Sequence, residues 1–183
     1  MRPIHPLALL LAARLHPGAR VLYVGNERSR TAGALAEMGL AVETKTDAGA
    51  PTGPGGTYDA AISTHALLHG TPDDIAAALA GIAAALSPRA PFHATFGNRA
   101  DARFGSGTAI GEATFAPTSG DEAGVPHSFF DDAELRALVE PAFEIESVAA
   151  QGVDDVAGTW AHGGRPLEGA VHWFVIARRR DGQ

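Results

Sequence analysis

Apolar residues recur along this chain with two spacings, and each spacing predicts a different element. Recurrence every three to four positions is typical of one helix face, whereas short apolar or alternating runs are typical of strands. The helical segments are Leu7–Leu15, Arg30–Met38, Thr71–Leu86 and Asp131–Pro141. The strand segments are Val21–Val24, Ala41–Thr46, Tyr58–Thr64, Ala90–Phe96, Phe143–Ala149 and Val171–Arg178.

Residues at the ends of the helical segments support these predictions. Thr71 is a good N-cap, and Pro72 after it suits the first helical position. Asp131 and Glu134 have the spacing of a capping box, in which each side chain accepts from the other residue's backbone N–H. Gly39 follows the second helical segment, where glycine commonly ends a helix. We therefore expect well-defined helices in these segments.

Strands and helices alternate through most of the chain, and two strands close together end it. This alternation predicts a Rossmann-like α/β fold, in which helices cover a mostly parallel sheet and the last strand runs antiparallel. The 183 residues are long enough to bury one sizeable core. We predict a single domain over residues 1–183 with a sheet of about six strands.

Two segments interrupt this order of elements. Ala48–Thr57 holds four glycines and two prolines, and we predict an irregular crossover there. Gly97–Pro126 is rich in glycine, alanine, threonine and proline and has no clear periodicity. Irregular segments of this length in compact domains are usually functional lids or partly structured excursions. We expect residues 97–127 to form a lid at the carboxyl end of the sheet.

Composition excludes several classes of function. The net charge is −7 and the basic residues are scattered, whereas nucleic-acid binders normally carry a basic stripe. The absence of cysteine excludes disulfides, thiolate zinc sites and cysteine nucleophiles. No segment approaches the roughly 20 apolar residues that span a membrane. The apolar run Leu7–Ala13 is short and stops at Arg14, so we interpret it as the first helix of a cytoplasmic protein rather than a signal peptide.

The first predicted strand leads into a tight turn and a helix. In nucleotide-binding α/β domains, such a turn and the helix N-terminus receive the cofactor. With its flanking landmarks, this turn resembles the class I S-adenosylmethionine-dependent methyltransferases over essentially the whole chain, and the size resembles the small tellurite-resistance-type members. The landmarks are Val21–Gly25, Asp47, Tyr58–His69, Leu86–Phe92 and Asp132–Ser147.

This resemblance implies a cofactor and the residues that hold it. It places S-adenosylmethionine at the turn and at the end of the strand Tyr58–Thr64, with a small-molecule methyl acceptor beside it. The cofactor-binding residues that it implies are Gly25, Asn26, Asp47, Ser63 and Thr64. Simpler roles are also open: Gly25 as a strand-to-helix bend, and Asp47 as a turn residue at a strand end.

The chain departs from the family pattern in three ways. The usual Gly-x-Gly-x-Gly turn is here Gly25-Asn-Glu-Arg-Ser29, so side chains stand where bare backbone normally lets the cofactor approach. The acidic residue that usually precedes the turn is Tyr23. Ala48–Thr57 does not accommodate the helix and the third strand that usually stand there, so we expect that strand to be missing. We therefore expect cofactor affinity below that usual for the fold.

Histidines near the strand ends are candidates for acid–base chemistry. His65 lies at the carboxyl end of a predicted strand, and His127 lies between the insertion and the helix that Asp131 caps. A histidine titrates near neutral pH and can take a proton from a nucleophile. For His127 the alternative is a loop histidine that satisfies backbone groups. His65 and His69 have the i, i+4 spacing of two metal ligands, but the sequence shows neither a third ligand nor a second shell, and we predict no metal site.

Polar residues after the strand Ala90–Phe96 are candidates for substrate binding. Asn98, Arg99 and Arg103, with Asp101, either order the insertion among themselves or bind a polar or anionic substrate. Two hypotheses about function follow. The first is an enzyme that transfers a methyl group to a small molecule, with His127 or His65 as the base. The second is a non-catalytic relative that binds the cofactor or another small ligand. No feature of the sequence indicates an oligomeric state.

Overall fold

The computed structural model describes residues 4–26, 29–46, 58–152 and 168–181. The helices in these residues are α1 (Pro6–Ala12), α2 (Arg30–Glu37), α3 (Pro72–Ala85) and α4 (Asp132–Val139). The strands are β1 (Arg20–Val24), β2 (Ala41–Lys45), β3 (Ala60–Ser63), β4 (Pro91–Asn98), β5 (Thr108–Gly111), β6 (Thr114–Ala116), β7 (His127–Phe130), β8 (Phe143–Gly152) and β9 (Val171–Arg179). None of the described helices combines the length and the apolar character that a membrane span needs.

All nine strands join in one sheet, and its main part consists of six strands in the order β2-β1-β3-β4-β9-β8. The strands β1 to β4 are parallel to one another, and β9 runs antiparallel between β4 and β8. This arrangement confirms the predicted Rossmann-like sheet with an antiparallel last strand. The predicted irregular crossover, Ala48–Thr57, lies outside the described residues. Among the described strands, β2 is at the edge of the sheet.

Alternation along the strands divides the core into two layers. In β1, Leu22 and Val24 pack on the side that holds α3 and α4, while Val21 and Tyr23 pack on the side that holds α1 and α2. Side chains that face one helix layer therefore alternate with side chains that face the other. Burying each large apolar side chain contributes about 1.5–3 kcal/mol, which keeps the register of the buried strands fixed.

The helix ends agree with the capping residues expected from the sequence. In α3 the Thr71 hydroxyl accepts from the Asp74 N–H at 3.2 Å, and the Asp74 carboxylate accepts from the Thr71 N–H at 2.8 Å. Asp131 and Glu134 form the same reciprocal pair at the start of α4, at 2.8 Å each. The cap of α1 is a histidine, His5, whose Nδ1 accepts from the backbone N–H two residues later at 3.1 Å.

The insertion is more ordered than the sequence suggests. Its strands β5 and β6 form an antiparallel meander with β7, and β7 then runs parallel to the end of β4. The strand β9 occupies one edge of β4 as far as Gly97, so β7 lies on the other edge, beyond the point where β3 stops at Ser63. The insertion is thus a partly structured excursion that extends the sheet, and its role as a lid stays a prediction.

Gly97 lies where β4 meets β7, and a side chain would not fit there. A Cβ on Gly97 would come to 2.2 Å from the carbonyl oxygen of Ser128. We expect Gly97→Ala to push the strands apart and to lower the free energy of unfolding by about 1–3 kcal/mol, as overpacking of a core position does. Urea unfolding measures this change.

The matched control is Gly33→Ala on the exposed face of α2. No heavy atom lies within 4 Å of a Cβ at Gly33, and alanine is the better helix former, so this variant should be stabilised by up to about 1 kcal/mol. Equal unfolding midpoints for the two variants would contradict the close β4–β7 approach.

Candidate functional site

The carboxyl ends of the parallel strands meet at one edge of the sheet, where open α/β folds bind ligands. The turn after β1, the segment after β3 and the start of the insertion after β4 all reach this edge. The predicted residues Gly25, Ser63 and Thr64 therefore lie at the ends of two neighbouring strands. Asn26 is exposed on the turn, and Asp47 lies outside the described residues.

Tyr23 fills the space over the turn. Its hydroxyl accepts a hydrogen bond from the Ser29 hydroxyl at 2.7 Å and lies 3.1 Å from the hydroxyl of Thr64. A Cβ on Gly25 would come to 2.9 Å from the Tyr23 ring, which is only 2% exposed. Glycine is thus needed at position 25 because the tyrosine ring lies against it. The hydroxyl links the start of α2 to the end of β3.

Ser63 carries a hydroxyl that its surroundings leave unused. The residue is fully buried, and its Oγ has no hydrogen-bond partner in the part of the chain that the structure describes. A buried hydroxyl without a partner is costly, and such groups are uncommon in native proteins. An acceptor or donor from a ligand would satisfy Ser63 at this position.

Three histidine rings from distant parts of the chain meet at the carboxyl end of β4. His5 starts α1, His65 follows β3, and His172 lies on β9 opposite Gly97. The ring centroids of His65 and His172 are 5.4 Å apart, and those of His5 and His65 are 6.3 Å apart. We call these three residues the histidine cluster. Of the three, only His65 was a candidate from the sequence.

Burial keeps two of these histidines neutral. Burial, followed by the charge of His65, lowers the pKa of His5 to about 3, and the same two causes lower the pKa of His172 well below its ordinary value. The Arg103 guanidinium has no acceptor, so at 3.3 Å it donates to Nε2 of His172. The proton of the His172 ring is therefore on Nδ1, a buried atom without a hydrogen-bond partner among the described residues.

Asp101 holds Arg103 in place. The guanidinium donates to both carboxylate oxygens, at 2.6 and 2.8 Å, in a bidentate pair. Burial raises the pKa of Asp101, but the hydrogen bonds from Arg103 outweigh this effect and leave the pKa below its usual value. Asp101 also accepts from the Val171 N–H at 2.9 Å, so this pair ties the start of the insertion to β9.

The backbone of His65 is strained. Its φ is +81°, and the only other non-glycine residue with a positive φ in the described ranges is Arg89. This left-handed conformation costs a residue with a Cβ about 1–2 kcal/mol. The His65 N–H donates to the hydroxyl of Thr95 at 2.9 Å, which fixes the segment against β4. Strain of this kind gathers at ligand sites, and here it lies next to the histidine cluster.

The other predicted substrate residues order the insertion. The Asn98 side chain accepts from the Ala100 N–H at 2.8 Å, and Arg99 forms an ion pair with Glu134 of α4 at 2.5 Å. These contacts show that Asn98 and Arg99 help to order the insertion. Arg103 pairs with Asp101 and also donates to His172 of the histidine cluster. Substrate binding by Asn98, Arg99 and Arg103 stays a prediction.

His127 belongs to a different group of side chains. It is the first residue of β7 and 6% exposed, rather than a loop residue. Its Nδ1 donates to the carbonyl of Val125 at 2.8 Å, and its Nε2 lies 3.1 Å from a carboxylate oxygen of Glu122. Nε2 of His69 lies 3.4 Å from the other carboxylate oxygen. Glu122 was not a candidate from the sequence, because it stands in a turn without any periodic pattern.

Comparison with known proteins shows the fold. No protein-family model matches the chain, and no curated protein resembles it. The Burkholderia thailandensis 1,6-didemethyltoxoflavin-N1-methyltransferase, with bound 1,6-didemethyltoxoflavin and S-adenosylhomocysteine, is similar with a TM-score of 0.69 and 21% identity over 97% of this chain and 78% of that one. A Methanosarcina mazei S-adenosylmethionine-dependent methyltransferase is similar with a TM-score of 0.69 and 13% identity over 96% of this chain and 98% of that one. The 4+2 cyclase SpnF is similar with a TM-score of 0.59 and 19% identity over 96% of this chain and 81% of that one.

Stability should decrease as the pH falls below 6.5, because His5 is neutral in the folded state. The unfolded chain binds a proton at His5 near pH 6.5, whereas the folded-state pKa is about 3. The contribution of His5 is therefore complete above pH 6.5 and falls by up to about 1.4 kcal/mol per pH unit between these values. Urea unfolding at about pH 7.5 and 5.5 measures this slope.

His5→Asn should reduce the slope, since asparagine keeps a good N-cap for α1 and does not titrate. His16→Asn, at an exposed histidine, is the control. Asp101 and Glu122, whose pKa values are lowered, lose their contributions only below about pH 4, outside the range of about pH 5.5–7.5 over which unfolding is measured. His172, whose pKa is also lowered, contributes to the same slope and keeps part of it in His5→Asn. The same slope in His5→Asn and His16→Asn would show that His5 is not one of the titrating groups.

Proposed function

We propose that this chain is an S-adenosylmethionine-dependent methyltransferase of the cytoplasm that acts on a small-molecule acceptor. The observation that carries the proposal is the histidine cluster, with its buried donor, at the ligand-binding edge beside the turn after β1. The Burkholderia protein of similar fold supports it, since that protein is a methyltransferase with a bound small molecule. Fold alone does not determine chemistry, as the similarity to a cyclase illustrates.

The turn offers groups that fit the amino-acid end of this cofactor. The hydroxyls of Ser63 and Thr64 lie at the end of β3, and that of Thr64 is 3.1 Å from the hydroxyl of Tyr23, two residues before Gly25. We propose that Gly25, Ser63 and Thr64 hold the cofactor, with Asn26 and Asp47 as further contacts. S-adenosylmethionine supplies a methyl group on a sulfonium that is already activated for transfer, so the protein has to align the acceptor and exclude water.

The histidine cluster supplies the groups that act on the acceptor. We propose that Nδ1–H of His172 donates to an oxygen or nitrogen of the acceptor and orients it, and that Arg103 acts through His172 by fixing its tautomer. His65 is our first candidate for the base. His127 is the second, because both of its ring nitrogens already face Val125 and Glu122. Asn98 and Arg99 would contribute by holding the insertion beside the substrate.

A second function has a specific observation in its favour. The Tyr23 ring occupies the space over Gly25, and its hydroxyl closes the gap between Ser29 and Thr64. A protein that no longer transfers methyl groups could keep this closed turn and bind another small ligand at the histidine cluster. This non-catalytic relative differs from the enzyme in lacking turnover and, where it binds a different ligand, in lacking affinity for the cofactor.

Cofactor binding by the wild type should be weak, because the Tyr23 ring must share the turn with the ligand. Calorimetric titration with S-adenosylmethionine and S-adenosylhomocysteine measures this affinity. Tyr23→Asp removes the ring and restores the acidic residue of the family, and we expect about tenfold tighter binding, or about 1.4 kcal/mol.

Tyr23→Phe is the matched control, since it keeps the ring and loses only the hydroxyl, and it should bind no more tightly than the wild type. Circular dichroism checks that both variants fold. Low-micromolar or tighter binding by the wild type would contradict an obstructing role for Tyr23. No binding by any of the three proteins would favour the non-catalytic relative.

If His65 is the base, His65→Asn should lower turnover by roughly 10²–10⁴-fold and leave cofactor affinity nearly unchanged. Asparagine tolerates the left-handed conformation, so the fold should be preserved. The assay is release of S-adenosylhomocysteine in single-turnover experiments, with the acceptor identified from a panel of small phenols, amines and thiols. His16→Asn is the control. Unchanged turnover in His65→Asn with loss in His127→Asn would assign the base to His127 instead.

A further inference from the structure

Three potential metal ligands meet at the edge of the meander, apart from the histidine cluster. They are His69, Glu122 and His127, and one ligand atom from each lies within 4.8 Å of the other two. The closest approaches are the 3.1 Å and 3.4 Å distances between the two Nε2 atoms and the Glu122 carboxylate. No role in methyl transfer uses this group as a whole.

Backbone pairing places the two histidines opposite each other. His69 and His127 form an antiparallel bridge, and directly opposite residues in such a pair have Cβ atoms about 4.5–5.5 Å apart. The Gly70 N–H donates to the Pro126 carbonyl at 2.8 Å, and the Ser128 hydroxyl donates to the Gly70 carbonyl at 2.7 Å. The two rings consequently meet edge to face, with centroids 4.7 Å apart.

A turn brings the carboxylate to these rings. The Gly124 N–H donates to the Pro117 carbonyl at 2.8 Å, and the Val125 N–H donates to the Glu122 carbonyl at 3.0 Å. These bonds hold the segment between β6 and β7 in a compact loop. All three side chains are thus carried by hydrogen-bonded backbone rather than by free chain ends.

The hydrogen bond between Nδ1 of His127 and the Val125 carbonyl determines whether Nε2 of the same ring is a donor or an acceptor. A carbonyl oxygen only accepts, so the contact with Val125 at 2.8 Å requires a proton on Nδ1. In the neutral ring Nε2 then presents a lone pair, and this lone pair faces a carboxylate oxygen 3.1 Å away. Two acceptors at this distance repel unless a cation lies between them. That cation is either a second proton on the ring or a metal ion.

We propose that His69, Glu122 and His127 bind a divalent transition-metal ion, for which Zn²⁺ is the probe. Two histidines and a carboxylate are a common ligand set for such ions. Ligands at about 2.0–2.2 Å from a tetrahedral ion are about 3.4 Å apart, close to the two histidine–carboxylate separations of 3.1 and 3.4 Å. The Val125 carbonyl is the outer-shell partner that ligating histidines usually have.

The sequence predicted no metal site because it showed neither a third ligand nor a second shell. The structure supplies Glu122 as the former and the Val125 carbonyl as the latter. It also replaces His65 by His127 as the partner of His69. The proposal therefore reverses the prediction of no metal site, because both the third ligand and the second shell are present.

Charge and exposure at the group are compatible with an ion. The Glu122 carboxylate supplies the negative charge of the group and lies within 3.4 Å of both Nε2 atoms. Arg103 acts on Glu122 electrostatically, and Asp101 balances the charge of Arg103. The side chains of His69 and Glu122 are 37% and 35% exposed, so an ion here would keep positions open for water or a donor atom of a small molecule.

Calorimetric titration of the chelator-treated full chain with Zn²⁺ tests the proposal without S-adenosylmethionine. We expect one ion per chain and an affinity that Glu122→Gln and His69→Ala each lower by roughly 100-fold or more, beyond the 10–100-fold typical of an outer-shell change. The controls are Glu112→Gln, an exposed glutamate in the same meander, and His16→Ala, and both should bind as the wild type does.

The absorption spectrum of the Co²⁺-loaded wild type provides a second measurement that needs no variant, because nitrogen and carboxylate ligands in a low-coordinate site give intense ligand-field bands. Circular dichroism checks that the variants fold. If the wild type binds no more Zn²⁺ than Glu122→Gln and its Co²⁺ spectrum is that of the free aqueous ion, the group is an imidazolium–carboxylate cluster and the proposal is overturned. Failure of cofactor binding would leave this result unchanged, so the two proposals fail separately.

Discussion

The backbone of β4 must find hydrogen-bond partners beyond the point where β3 ends, and much of the structure follows from this requirement. Buried backbone groups without partners cost free energy comparable to a lost hydrogen bond. On one edge β9 supplies the partners, and on the other β7 takes over at Gly97 and Asn98. Because β7 is held there, His127 lies opposite His69, and α4 begins immediately after the strand. The insertion is thus a continuation of the sheet.

Two groups of histidines border this junction, and their surroundings suit them to different chemistry. His5 and His172 of the histidine cluster are buried and held neutral, so the cluster offers hydrogen bonds and a place for a proton without a fixed charge. His69 and His127 instead share a carboxylate that is half exposed to solvent, which favours a cation. A few residues of chain separate the two environments, since His65 belongs to one and His69 to the other.

Much of the fold could be predicted from local patterns, whereas most of the site could not. Capping residues such as Thr71 and Asp131 marked helix starts, and apolar runs marked the six strands of the main sheet. The strands β5, β6 and β7 were missed, because all four residues of β5 are exposed and because β6 and β7 have only three and four residues. His65 and His69 failed as an i, i+4 pair because the left-handed backbone of His65 and a three-residue 3₁₀ turn replace an α-helix between them. His5 and His172 lie far apart in the sequence, and only packing brings them together.

The hydrogen bond from Val171 to Asp101 has a consequence for how the molecule folds. It joins residues 70 positions apart. Closing a loop of that size costs chain entropy before the contacts between its ends can stabilise the fold. The strands β1 to β4 can pair before β9 is present, but Arg103 reaches His172 only once β9 has docked. This edge of the sheet is therefore complete only when β9 has docked. During synthesis on the ribosome, it would stay incomplete until β9 emerges.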